Sequence, residues 1–128
     1  VKFLLFTFLA VVGAIIAVLT SIQNGSLVRY LDTHPHPVYV PKITYALGHG
    51  YTVVGDLDEA TTYYYRVAEQ YPKSELAEPA YFNYLNALDE LNTPRLEMAT
   101  LYESYLSRFP EGPHAGMVKR RVYLCRTK

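Results

Sequence analysis

Four histidines, one cysteine and twelve carboxylates are the side chains of this 128-residue sequence that can ligate metal, pass protons or attack a substrate. Their spacing serves none of these ends. His34 and His36 stand two apart in a proline-rich stretch, and in an extended chain such a pair points to opposite faces, which is poor geometry for one metal. Each of His34, His36, His49 and His114 can at most lend a single ligand to a metal or haem held by a neighbour. Cys125 is the sole cysteine, so neither an intramolecular disulfide nor a cysteine-pair metal site is possible. No Cys-x-x-Cys-His, glycine-rich phosphate loop, His-Glu-x-x-His or nucleophile elbow occurs. The carboxylates fall at expected helix starts and on expected exposed faces, where solvation explains them better than acid–base work. The expectation is a chain that is not an enzyme, holds no cofactor or metal and takes no small-molecule substrate.

Charge narrows the partners. Twelve Lys and Arg balance twelve Asp and Glu, which argues against a nucleic-acid binder because phosphate contacts need a basic excess. The charge is segregated nonetheless: 11 acids face 4 bases between Asp56 and Glu111, whereas Lys119, Arg120, Arg121, Arg126 and Lys128 end the chain without an acid. Tyrosine is abundant, 13 residues with no tryptophan, and all lie beyond residue 29. Large flat side chains with a polar tip suit a domain that makes interfaces.

The elements that carry these residues begin with an apolar run. Phe3 to Ile22, FLLFTFLAVVGAIIAVLTSI, has no charge, and as a helix rising 1.5 Å per residue it covers a hydrocarbon core of about 30 Å. It exceeds the apolar core of a usual secretory signal and is followed by no clean small-x-small cleavage site, so a retained transmembrane helix is expected. Ala10, Gly13, Ala14 and Ala17 recur at i, i+3, i+4 and i+7, a small-residue stripe suited to helix packing in lipid. Lys2 lies on one side of the run and Arg29 and Lys42 on the other, so the positive-inside rule discriminates little; the N-terminus is expected inside. Valine in first position reads as a literally translated GTG start, pointing to a bacterial source. Asn24-Gly25-Ser26 reads as a polar turn ending the helix. Residues 1–31 thus form the membrane helix and its extension, and 32–41, with Pro35, Pro37 and Pro41, an extended Pro/His-rich linker.

A repeat follows. Leu47-Gly48-x-x-Tyr51, Gly55, Ala60-x-x-x-Tyr64 and Pro72 encode a helical hairpin: the first three lie on one helix face, Gly48 is expected opposite Ala60, and Pro72 ends the second helix. Phe82, Leu85, Leu88, Met98, Tyr102 and Pro110 form a worn second copy around an Asn92-Thr93-Pro94 turn. The closing prolines of the two copies, Pro72 and Pro110, are 38 residues apart, Asn86 stands in the Gly48 place and Met98 in the Ala60 place. Residues 113–128 are expected to form a basic capping helix with Met117, Val118, Val122, Leu124 or Cys125 inward.

The spacing in 41–74 resembles the tetratricopeptide (TPR) repeat family, with Thr44 where that pattern usually has tryptophan. The aromatic-Pro endings at Tyr71-Pro72 and Phe109-Pro110 are similar to those of its envelope-associated members, though this chain lacks their lipid-attachment cysteine. The resemblance implies an all-α fold in which residues 42–112 form two hairpins. It also implies an inner groove lined by Lys42, Tyr45, His49, Thr52 and Val53, and by Asn83, Ala87 and Glu90 in the second unit.

The function expected is that of a membrane-anchored scaffold or accessory subunit, touching the lipid bilayer and the protein subunits of a larger respiratory, photosynthetic or envelope complex. Its place is expected to be the bacterial inner membrane, with the C-terminal domain in the periplasm. Two alternatives stand: a pilin-like filament subunit, against which the apolar run lacks a glutamate and a leader-cleavage signature, and a redox subunit lending a histidine to a partner's metal or haem.

Overall fold

The computed structural model describes residues 1–127, which are all-α: α1 (Lys2–Gln23), α2 (Ser26–Thr33), α3 (Tyr39–Val53), α4 (Leu57–Gln70), α5 (Ala77–Glu90), α6 (Arg95–Arg108) and α7 (Ala115–Arg126). They fall into two units, divided after Pro35.

In the first unit α1 is long and apolar enough to cross a membrane. None of its 22 residues is buried. Its hydroxyls turn back on its own backbone, Thr20 Oγ1 donating to the Ile16 carbonyl at 2.8 Å and Ser21 Oγ to that of Ala17 at 2.9 Å. That satisfies them where no water is available. The helix stops at Asn24-Gly25, where Gly25 adopts φ 76°, and restarts as α2.

The second unit opens inside the stretch expected to be extended. Only residues 34–38 lack helix, and α3 starts at Tyr39 despite Pro41. Proline is tolerated in a first turn, whose N–H groups have no intrahelical acceptor. His36 supplies that acceptor, its Nδ1 taking the Val38 and Tyr39 N–H groups, both at 3.3 Å.

The two turns expected from the repeat are built alike. After α3, the Gly55 N–H donates to Thr52 and the Asp56 N–H to Tyr51, a double closure that needs a left-handed residue, met by Gly55 at φ 83°. After α5, Asn92 N–H donates to Asp89 and Thr93 N–H to Leu88, with Asn92 taking the left-handed place at φ 63°. Asp56 then caps α4, accepting from the Glu59 N–H at 3.3 Å.

Two clusters form the core. One joins Ala60, Tyr64, Val67 and Ala80; the other joins Ala68, Tyr81, Phe82, Leu85, Met98, Tyr102, Tyr105, Ala115 and Val118. The atoms nearest to Gly48 are those of the Tyr64 ring. Helices α3 and α4 approach closely, as do α4 with α5 and α6 with α7, while α5 and α6 stand further apart. The cause is legible in side chains: buried Met98 stands where the first hairpin has Ala60, and Asn86 where it has Gly48. In α7, Val118 is buried and Val122 and Cys125 lie against the core. Met117 and Leu124, expected inward, are half exposed on the other side.

Candidate partner-binding face

Helices α3, α5 and α7 run parallel, because contacts tie them in matching register. The Asn83 amide Nδ2 on α5 donates to the Tyr45 hydroxyl on α3 at 3.0 Å. The Arg121 guanidinium on α7 donates to Asn86 Oδ1 on α5 at 2.6 Å. His114, just before α7, meets Glu78 in the first turn of α5 at 2.6 Å. One face of the unit is therefore made from every second helix.

On α3 this face centres on Tyr45 and His49. Their rings meet edge to face at 4.6 Å, and both lie against Tyr64, at 5.6 and 5.7 Å. Burial pushes the Tyr45 hydroxyl above its ordinary pKa, Tyr64 adds to the rise and the Asn83 hydrogen bond opposes it. Thr52 Oγ1 donates to the Gly48 carbonyl at 2.9 Å and lies 3.2 Å from the Tyr64 hydroxyl. Lys42 is exposed on the same helix, and Val53, 85 % exposed, stands at its end.

On α5, Asn83 is half-buried beside Tyr45 and Glu90 is exposed at the helix end. Ala87 departs from expectation: it is 4 % exposed and offers no surface to a partner. The structure thus joins Tyr45 to Asn83 directly, and leaves Lys42, Val53 and Glu90 as separate exposed points around them.

Reading the sequence missed the part contributed by α7. Arg121 lies 5.3 Å from the Phe82 ring centroid and 5.7 Å from that of Tyr102, geometry in which a guanidinium is held by ring faces as well as by its hydrogen bond. Next to it His114 stacks on Phe82 at 3.8 Å, and Glu78 accepts from both His114 Nδ1 and, at 2.5 Å, the Tyr105 hydroxyl. Burial first and Glu78 second push the Tyr105 hydroxyl far above its ordinary pKa. Glu78, one of the carboxylates that as a group were expected to be solvated, is the joint of a three-helix polar network. No local signal marks a contact across 36 residues, although the matched aromatic-Pro endings do announce that α5 and α7 begin alike.

The remaining histidines are engaged close to home. His34 stacks on Tyr30 at 4.2 Å, and His36 caps α3. Among the described residues no three His, Cys, Asp or Glu side chains gather as a metal site would require. In the first unit, Ala10, Gly13, Ala14 and Ala17 are exposed along α1, and nothing lies within 4 Å of where a Gly13 Cβ would stand.

No family model, no curated protein and no solved structure matches this chain.

Proposed function

We propose that this chain is a non-catalytic, membrane-anchored scaffold or accessory subunit of a larger membrane complex, built on TPR-like hairpins. The observation that carries the reading is α1, 22 residues of which none is buried, joined to a helical unit with its own core. A bare apolar helix of that length is stable in lipid or against other membrane helices, and the stripe of Ala10, Gly13, Ala14 and Ala17 permits close packing there. The face built from Tyr45, His49, Asn83 and Arg121 supplies aromatic area and fixed polar groups, the chemistry enriched at protein interfaces. Placement in a bacterial inner membrane with the helical unit in the periplasm belongs to the same proposal.

Purification of the full chain from its native membrane in mild detergent tests this. A protein that co-purifies in fixed stoichiometry and is lost from the Lys42→Glu, His49→Ala double variant is the expected result. Recovery of the chain free of any partner sinks the reading. For placement, a Ser107→Cys, Cys125→Ser variant should be labelled by an impermeant thiol reagent added to intact spheroplasts; protection until lysis reverses the orientation.

A further inference from the structure

The flank of α3 that faces away from α4 is the least expected surface of the second unit. Tyr39, Ile43, Ala46 and Gly50 follow at i, i+4, i+7 and i+11, a spacing that keeps them on one side of a helix. Val53 extends the row. Tyr39 is 64 % and Ile43 40 % exposed, Ala46 and Gly50 are exposed, and the one charged side chain on this side of α3, Lys42, borders the row. The equivalent rows elsewhere are covered. On α5, Ala77, Tyr81 and Tyr84 share the spacing and pack under α4, Tyr84 reaching Tyr65 at 5.1 Å between ring centroids and Tyr81 joining Ala68. On α7, Ala115, Val118 and Val122 lie in the cluster that includes Met98 and Tyr102 of α6. The row on α3 is thus a helix-docking surface of the kind this unit uses twice, left open.

We propose that its occupant is the α3 of a second copy, packed antiparallel about a two-fold axis through Ala46. The row is its own complement under that operation. Tyr39 falls opposite Val53, Ile43 falls level with His49 and one residue from Gly50, and the small Ala46 meets itself where the helices cross. Large therefore meets small or medium at every level, which lets two backbones approach. The absence of charge from the row means that pairing like with like brings no repulsion, and Lys42, which borders the row, falls level with Gly50 of the second copy and not with its own copy. Isologous contacts of this kind close as dimers. Two such faces bury on the order of 1,000 Å² in total, at the low end of stable interfaces. Confinement of both copies to one membrane, which rests on the anchor reading above, raises their effective concentration.

The full chain in mild detergent tests the proposal by its mass in sedimentation at rising concentration. A monomer–dimer equilibrium is expected, with the dissociation constant weakened at least tenfold by Tyr39→Glu with Val53→Glu while helical content and melting stay unchanged. Because α1 can also associate, Gly13→Leu with Ala17→Leu is the companion variant and should leave the equilibrium in place. In a Cys125→Ser background, Ala46→Cys should form a disulfide-linked dimer on mild oxidation, and Ser107→Cys should not. A chain that stays monomeric, a dimer lost with the α1 variant but not the α3 variant, or equal cross-linking at 46 and 107 overturns it. Each of these leaves the scaffold reading standing, since that reading fails only on the absence of a different protein.

Discussion

Gly48 faces the ring of Tyr64 so closely that a Cβ built on it would lie 2.7 Å from Cε1 and 2.8 Å from Cδ1. Tyr64 is 2 % exposed, and its ring is fixed between Tyr45, His49 and Thr52, so it has nowhere to retreat. Gly48→Ala gains up to about 1 kcal/mol in helix propensity but overpacks the hairpin, at a cost of about 1–3 kcal/mol. Net destabilisation is expected in urea unfolding, and Gly48→Ala combined with Tyr64→Leu should recover part of it. A neutral or stabilising Gly48→Ala would show that the ring of Tyr64 can yield to an added methyl group.

At the wide seam, Met98 is buried between α5 and α6. Met98→Ala should cost about 2–5 kcal/mol, because a gap already filled by one flexible side chain cannot close without moving Tyr102. Chemical denaturation followed by circular dichroism gives the measurement. A loss below about 1 kcal/mol would mean that the two helices close the gap, contrary to the packing described.

Glu78→Gln keeps the shape of the α5–α6–α7 joint and removes its charge. The loss of a charge-assisted bond to Tyr105 and His114 should reduce stability by about 1–3 kcal/mol. It should also lower the Tyr105 pKa, leaving burial to hold it above the ordinary value. Site-resolved NMR titration of the tyrosine ring reads the second effect; an unmoved titration would remove Glu78 from the network.

Tyr45, Tyr63, Tyr81, Tyr84, Tyr102 and Tyr105 all have hydroxyls raised above the ordinary 10.0, with burial as the largest cause in each. The folded chain therefore binds more protons than the unfolded chain once pH passes 10. Their contribution to stability is intact below that pH and is lost as pH climbs through the raised values. Ionisation measured by ultraviolet absorbance should lag that of free tyrosine and then rise together with loss of helix. Free titration of every phenol near 10 with the helices intact would contradict the buried positions.

How much of this was legible beforehand depended on the range of the interaction. The hairpin turns were local, since Gly55 and Asn92 declare left-handed positions and Asp56 declares a cap, and the apolar run announced α1 by length alone. The start of α3 was misread because Pro41 was weighed as a helix breaker, when in a first turn it breaks no bond and His36 stands ready as acceptor. Of the face residues, Tyr45 and Asn83, 38 residues apart and so at the same place in the two copies, meet directly. Ala87, Arg121 and the Glu78–His114 joint depended on how far α5 stands from α6 and where α7 lands, and no spacing within either segment encodes that.

The seam between α5 and α6 is also held differently from the rest of the unit. Helices α3, α4 and α5 are closely laced, α6 and α7 are closely laced, and Arg95 on α6 grips the last carbonyls of α7, including that of Leu124. Across the seam the hold passes to side chains: Glu78 meets Tyr105 and His114, and Arg121 meets Asn86. The copy in which the repeat pattern is most worn is thus the one joined by polar side-chain contacts.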